Sequence, residues 1–100
     1  MWKIEFKSRY GWLTGRFGRY ENGHLGIQLF QDGFPFCKST NLVDIELDPR
    51  EFHFNANSNW ELFRDIMDSG HFEDTGREDV SGFNTYAVLR VKDHIEIVEG

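Results

Sequence analysis

The chain has 100 residues, with 17 acids against 11 bases for a formal charge of −6, 16 aromatic side chains and a single cysteine. A chain of this size buries about 65% of its unfolded surface on folding, enough for one core without staples. Cys37 alone cannot close an intrachain disulfide, no Cys/His set stands at zinc spacing, and no apolar run reaches ~18 residues, which excludes a disulfide scaffold, a structural zinc site and a membrane-crossing helix. The N-terminus, MWKIEFKSRY, alternates charged and aromatic residues where a signal peptide needs a continuous apolar stretch. A single domain over residues 1–100, in a reducing bacterial cytoplasm, is the expectation.

Trp2, Ile4 and Phe6 alternate with Lys3, Glu5 and Lys7, the period of a half-buried strand. In the next segment Gly11, Gly15 and Gly18 are spaced through aromatic residues, which predicts a twisted second strand with a bulge or a close backbone approach. Asn22-Gly23 then offers two positive-φ positions for a tight hairpin turn. Leu25, Ile27 and Leu29 form the returning strand, ended by a second turn at Asp32-Gly33 and Pro35. Phe36 to Thr40 pairs back as another strand, and Val43, Ile45 and Leu47 alternate with acids in one more, broken by Asp48-Pro49.

Phe52, Phe54 and Ala56 give a short strand or an extended connection. Ser58-Asn59-Trp60-Glu61 has the form of a capping box, opening a helix whose apolar positions are Trp60, Phe63, Ile66 and Met67 and whose stop is Gly70. His71 to Gly82 is polar and Gly-punctuated and reads as a surface loop. Phe83, Thr85, Ala87, Leu89 and Val91 carry a long strand buried in part on both faces, and Ile95 and Ile97 a last short one. The fold class expected is α+β: a mainly antiparallel, twisted sheet in meander order with one helix packed on one face.

Charge is unevenly spread along the chain. Residues 1–20 hold Lys3, Lys7, Arg9, Arg16 and Arg19 against Glu5, a net of +4, whereas residues 21–80 carry −9. The acidic middle suits a basic partner or simple solubility, and the overall balance disfavours contact with phosphates. The exception is the N-terminal hairpin, where Trp2, Phe6, Tyr10, Trp12, Phe17 and Tyr20 lie among the five bases, as on sheets that stack single-stranded bases. Large side chains are equally what a small core requires.

Catalytic signatures are absent. The four His match no metal spacing, and His71 with Glu73 and Asp74 is the only local cluster of ligand types. Cys37, beside Lys38 in a strand, reads as a small buried hydrophobe. Neither glycine-rich phosphate motif is present. No enzyme, no cofactor and no metal is therefore expected.

Taken as a set, Tyr20-x-Asn22-Gly23-x-Leu25-x-Ile27-x-Leu29, Gly33-x-Pro35, Thr40-Asn41-Leu42, Thr75-Gly76-Arg77 and Ser81-Gly82-Phe83-x-Thr85-Tyr86 resemble a family of small uncharacterised proteins carried by conjugative transposons, plasmids and prophages. The similarity spans residues 18 to 90 and brings no catalytic residues with it. It implies a mobile-element setting, in which small acidic proteins inhibit host defence.

Two functions follow as expectations. In the first, the protein binds and inhibits a CRISPR effector or restriction enzyme by occupying its basic nucleic-acid surface. Glu61, Asp65, Asp68, Glu73, Asp74, Glu78 and Asp79 would supply charge, with Phe72 and Phe83 as apolar anchors. In the second, Lys3, Lys7, Arg9, Arg16 and Arg19 form a face for nucleic acid or a transfer protein. A local role for the 71–82 segment stands beside the first, since loop glycines supply positive φ and Ser and Thr bond nearby amides.

Overall fold

The computed structural model describes residues 4–97. The alternation around Ile4 and Phe6 forms β1 (Ile4–Ser8), and the chain returns antiparallel as β2 (Gly11–Arg19), with Ile4 opposite Gly15 and Phe6 opposite Leu13. Trp2 and Lys3, expected in the same strand, lie outside the described residues. Of the two roles expected for the β2 glycines, close approach is the one seen. A Cβ on Gly15 would stand 2.9 Å from Ile4 Cγ1 and 3.0 Å from Ile27 Cδ1, so core side chains close over that position. The registers of β2 with its two neighbours run without a bulge.

β3 (Leu25–Gln31) and β4 (Phe34–Lys38) complete a four-stranded antiparallel sheet in the order β1-β2-β3-β4. The tight turn is not where Asn22-Gly23 suggested. Only Gly23 takes a positive φ there, within a longer loop closed by Tyr20 N–H donating to His24 O at 2.9 Å. Asp32 and Gly33, at φ 52° and 83°, supply both left-handed positions of a two-residue hairpin with Gln31 opposite Phe34. Pro35 does not end the strand but sits within β4, which tolerates a missing N–H because it is at the sheet's edge and next to a register shift.

From β4 the chain crosses to a second sheet through one bridge, Thr40 N–H to His53 O at 2.9 Å. The strand expected at Val43, Ile45 and Leu47 does not form. Leu42 is the residue buried there and Val43 is 64% exposed, so the apolar alternation has no core to face. The segment instead runs past the end of the second sheet, where Glu46 O accepts a bond from Arg77 Nη2 at 2.9 Å.

β5 (Glu51–Phe54) is buried on both faces. α1 (Trp60–Asp68) follows, without the capping box: its N-cap is Asn59, whose side chain makes no cap bond, and Ser58 N–H donates to Asn55 Oδ1. The helix buries Leu62 and Ile66, while Trp60, expected inward, is 54% exposed with the Arg64 guanidinium 5.7 Å from its ring centroid.

The segment expected to be a surface loop is a strand, β6 (Phe72–Ser81), paired antiparallel with β7 (Asn84–Val91). Its polar composition reflects position, because β6 is the edge of the sheet β5-β7-β6 and only Phe72 reaches the core. Charged edges resist pairing with other chains. Gly76, at φ 82°, marks the irregularity between Asp74 and Glu78, where Asp74 Oδ1 accepts the Gly76 N–H at 2.9 Å and Thr75 Oγ1 donates to Val88 O at 2.8 Å. Phe83 lies in the hairpin turn instead of opening β7. No strand forms at Ile95 and Ile97; Ile95 is buried in a turn whose carbonyls are held by the Arg50 guanidinium.

The expected α+β class is met by mainly antiparallel strands and one helix, although the strands divide between two sheets instead of forming one. One core joins Leu13, Phe17, Ile27 and Leu29 of the first sheet to Phe52, Phe72, Leu89 and Val91 of the second, with Leu62 and Ile66 of the helix. α1 touches β1 and β6, and beside it His71 Nε2 donates to Glu5 O at 3.1 Å, a second tie between the two sheets besides the Thr40–His53 bridge.

Candidate functional site

Folding sorts the charges by sheet. The strands β1 to β4 contain one acid, Glu5, and four bases, Lys7, Arg16, Arg19 and Lys38. By contrast, β6 alone carries Glu73, Asp74, Glu78 and Asp79, and α1 carries Glu61, Asp65 and Asp68. A chain acidic overall thus presents a basic sheet.

The acidic set expected to meet a partner is largely engaged within the molecule. Arg9 reaches Glu61 Oε2 at 2.7 Å and Asp65 Oδ2 at 3.0 Å, and its backbone N–H adds a bond to Asp65 at 2.9 Å. The side-chain bond from Arg9 holds the Asp65 carboxyl below its ordinary range and raises the guanidinium in return. Arg9, expected on the basic face, therefore ties the β1–β2 turn to the helix. Glu73 pairs with Arg90 at 3.1 Å, and Arg90 also holds Asp93 at 2.6 Å.

Asp79 accepts from His53 Nε2 at 2.8 Å and pairs with Arg77 at 3.1 Å; the His53 bond, then Arg77, keeps its carboxyl low. Phe72 is 2% exposed, edge-on to Phe52 with centroids 5.6 Å apart, and belongs to the core instead of anchoring a surface. Asp68, Asp74 and Glu78 remain exposed, with Phe83 fully exposed at the β6–β7 tip.

Sequence reasoning missed the His53–Asp79 pair, whose members are 26 positions apart. The imidazole is fully buried and its Nδ1 has no partner. It links β5 to β6 across β7 and has no exposed atom with which to meet a substrate. Among the described residues no three His, Cys, Asp or Glu side chains gather as metal ligands. His71, Glu73 and Asp74 turn to Glu5 O, Arg90 and Gly76 N–H respectively. Burial pushes the Cys37 thiol up, away from nucleophilic use.

The outer face of the four-stranded sheet has a different character. Leu13, Gly15 and Phe17 of β2 and Leu25, Ile27 and Leu29 of β3 face the core, so the alternate positions face out. Phe6 and Phe17, expected among stacking aromatics, are thereby core residues. Facing out, Lys7 pairs in register with Trp12, Thr14 with Phe30, Arg16 with Gln28, Gln28 with Lys38, and Gly18 with Gly26. Trp12 is 64% exposed, and the Arg16 guanidinium lies 5.2 Å from the Phe30 ring centroid. Lys3, placed on this face by the sequence reading, lies outside the described residues.

At one end of the face is a groove of about 330 Å³, floored by Gly18 and walled by Arg16, Arg19, Tyr20, Gln28, Phe30 and Lys38, with no acid in its lining. Its walls are held from behind. Tyr20 Oη donates to Ser39 O at 3.2 Å, and Arg19 Nη1 donates to Pro49 O at 2.6 Å. Gln28 Nε2 bridges Leu29 O and Cys37 O, each at 2.9 Å, and its carbonyl oxygen takes part in neither bond. Cations, a planar ring and an amide on a preset backbone can hold an anion and a flat heterocycle together. Gln28, Phe30 and Lys38 were absent from the sequence reading of this face, although the parity of β3 against Leu25, Ile27 and Leu29 carries the signal.

The chain matches no protein-family model, no curated protein and no solved structure.

Proposed function

We propose that the protein binds single-stranded nucleic acid on the outer face of the four-stranded sheet. The observation that carries this reading is the segregation of charge: exposed Trp12 and half-buried Phe30 lie among Lys7, Arg16 and Lys38 on strands whose single acid is Glu5. Stacking of a base on an aromatic ring is worth about 1–3 kcal/mol and tolerates any sequence. Four-stranded sheets that recognise RNA stack two or three bases in this manner. The acidic helix and β6 repel phosphates and so confine the ligand to one side. The resemblance over residues 18 to 90 supplies the setting, an accessory protein of a plasmid, transposon or prophage.

Fluorescence anisotropy of a labelled oligonucleotide of about ten nucleotides, over a salt series, tests the reading. Three cations on phosphates give an expected log–log salt slope of about −2, with weaker binding to duplex of the same sequence. No binding, or equal binding to duplex without salt dependence, would overturn it.

A second reading rests on Phe83, fully exposed at the β6–β7 tip near exposed Val80 and Glu78. In it, a basic protein such as a CRISPR effector or restriction enzyme docks at that tip. Because the two readings use different sheets, one footprint separates them.

A further inference from the structure

Three glycines of the four-stranded sheet sit in very different surroundings. Gly15 is required by packing, and Gly26 likewise, since a Cβ there would lie 2.7 Å from Tyr20 Cε2. Gly18 is not: nothing lies within 4 Å of the position its Cβ would take, and its φ is outside the left-handed range. A mid-strand glycine costs about 0.5–1 kcal/mol relative to alanine, and β-branched residues suit a strand better still. Neither backbone nor core therefore accounts for glycine at position 18. What its missing side chain does is keep the groove open.

We infer that the groove above Gly18 holds one nucleoside monophosphate unit, its phosphate between Arg16 and Lys38 and its base against the Phe30 and Tyr20 rings. The inference rests on the single-strand reading for its setting, while the groove stands on its own geometry. At about 330 Å³ it sits at the lower end of the range for small-ligand clefts, room for one such unit and not for several. The lining is complementary in charge to a phosphate, and the Arg16 guanidinium over Phe30 offers a planar cation beside a planar ring. Gln28, anchored to two backbone carbonyls through its Nε2, presents an amide oxygen as an acceptor for a base edge. The same unit can arrive within an oligonucleotide or as a free mononucleotide.

Gly18→Val puts a side chain into the groove from its floor, at a position where the added Cβ meets nothing within 4 Å. Its melting temperature is expected to equal or exceed that of the unsubstituted protein, while affinity for a single-stranded oligouridylate falls roughly tenfold to a hundredfold. Lys38→Ala, on an exposed edge-strand position, reads the same groove from its rim and should also weaken binding. Uridine 5′-monophosphate should compete at millimolar concentration and uridine much less.

A Gly18→Val protein that binds the oligonucleotide as before would overturn the groove assignment and leave the single-strand reading in place. A markedly lower melting temperature would overturn it too, by showing that the fold needs glycine there. Binding of uridine 5′-monophosphate that Gly18→Val removes, with no oligonucleotide binding, would uphold the groove, overturn the single-strand reading and identify a free nucleotide as the ligand. Binding of neither by the unsubstituted protein would overturn both.

Discussion

Arg16→Glu combined with Lys38→Glu is expected to lower affinity for single-stranded nucleic acid by at least about a hundredfold at low salt, with the gap closing as salt rises. The two side chains flank Gln28 in register, so reversal converts the middle of the face and the groove wall from attraction to repulsion. The fold should absorb the change. Both residues are exposed, and the variant forgoes only the Arg16–Phe30 stack, worth about 0.5–1 kcal/mol at an exposed site. Asp68→Lys with Glu78→Lys changes charge by as many units in the opposite sense, on the other side of the molecule, and should change binding far less. If the second variant strengthened binding by as much as the first weakens it, only net charge would matter and the sheet face would lose its assignment.

Phe72→Ala is expected to destabilise the protein by about 3–5 kcal/mol, a large part of the roughly 5–15 kcal/mol that holds a domain of this kind together. Phe72 is the one residue of β6 that reaches the core, where it meets Phe52 edge-on and lies in the cluster that joins both sheets and the helix. Truncation opens a cavity at that junction, and the edge strand has no second buried residue to compensate. Urea denaturation with a linear extrapolation measures the loss. A loss under about 1 kcal/mol would mean that the ring is a surface anchor, as its place in a polar segment suggested.

Phe72 also shows where the sequence misleads. A strand is legible when one face is buried and the other is not, as around Ile4 and Leu29. β6 lies at a sheet edge with both faces mostly wet, so its residues carry no alternation and Gly76 within it imitates loop punctuation, while Gly82 marks the true turn that follows. The converse holds at Val43, Ile45 and Leu47, whose alternation is real but meets no partner strand. Periodicity reports a pattern of side chains and not the presence of a neighbour.

The helix is legible from its spacing, but its inward face is set by where α1 meets β1 and β6, which brings Leu62 in and leaves Trp60 out. Asn22-Gly23 and Asp32-Gly33 both have the composition of a tight turn, and strand register chooses the second. The basic hairpin is legible as composition. Which of its members share a face is not, because Arg9 is taken by Glu61 and Asp65, Phe6 and Phe17 turn inward, and Phe30 and Lys38 arrive from strands whose neighbours only folding supplies. The His53–Asp79 pair spans a strand between its partners and leaves no local trace at all.

The most direct test of the central claim is a footprint. Isotope-labelled protein is titrated with a short single-stranded oligonucleotide, and amide chemical shifts are followed residue by residue. The changes are expected along Trp12–Gly18 and Gly26–Phe30 and at Lys38, the positions that build the outer face and its groove. Changes confined to α1, β6 and the Phe83 tip, or no changes at all, would contradict it.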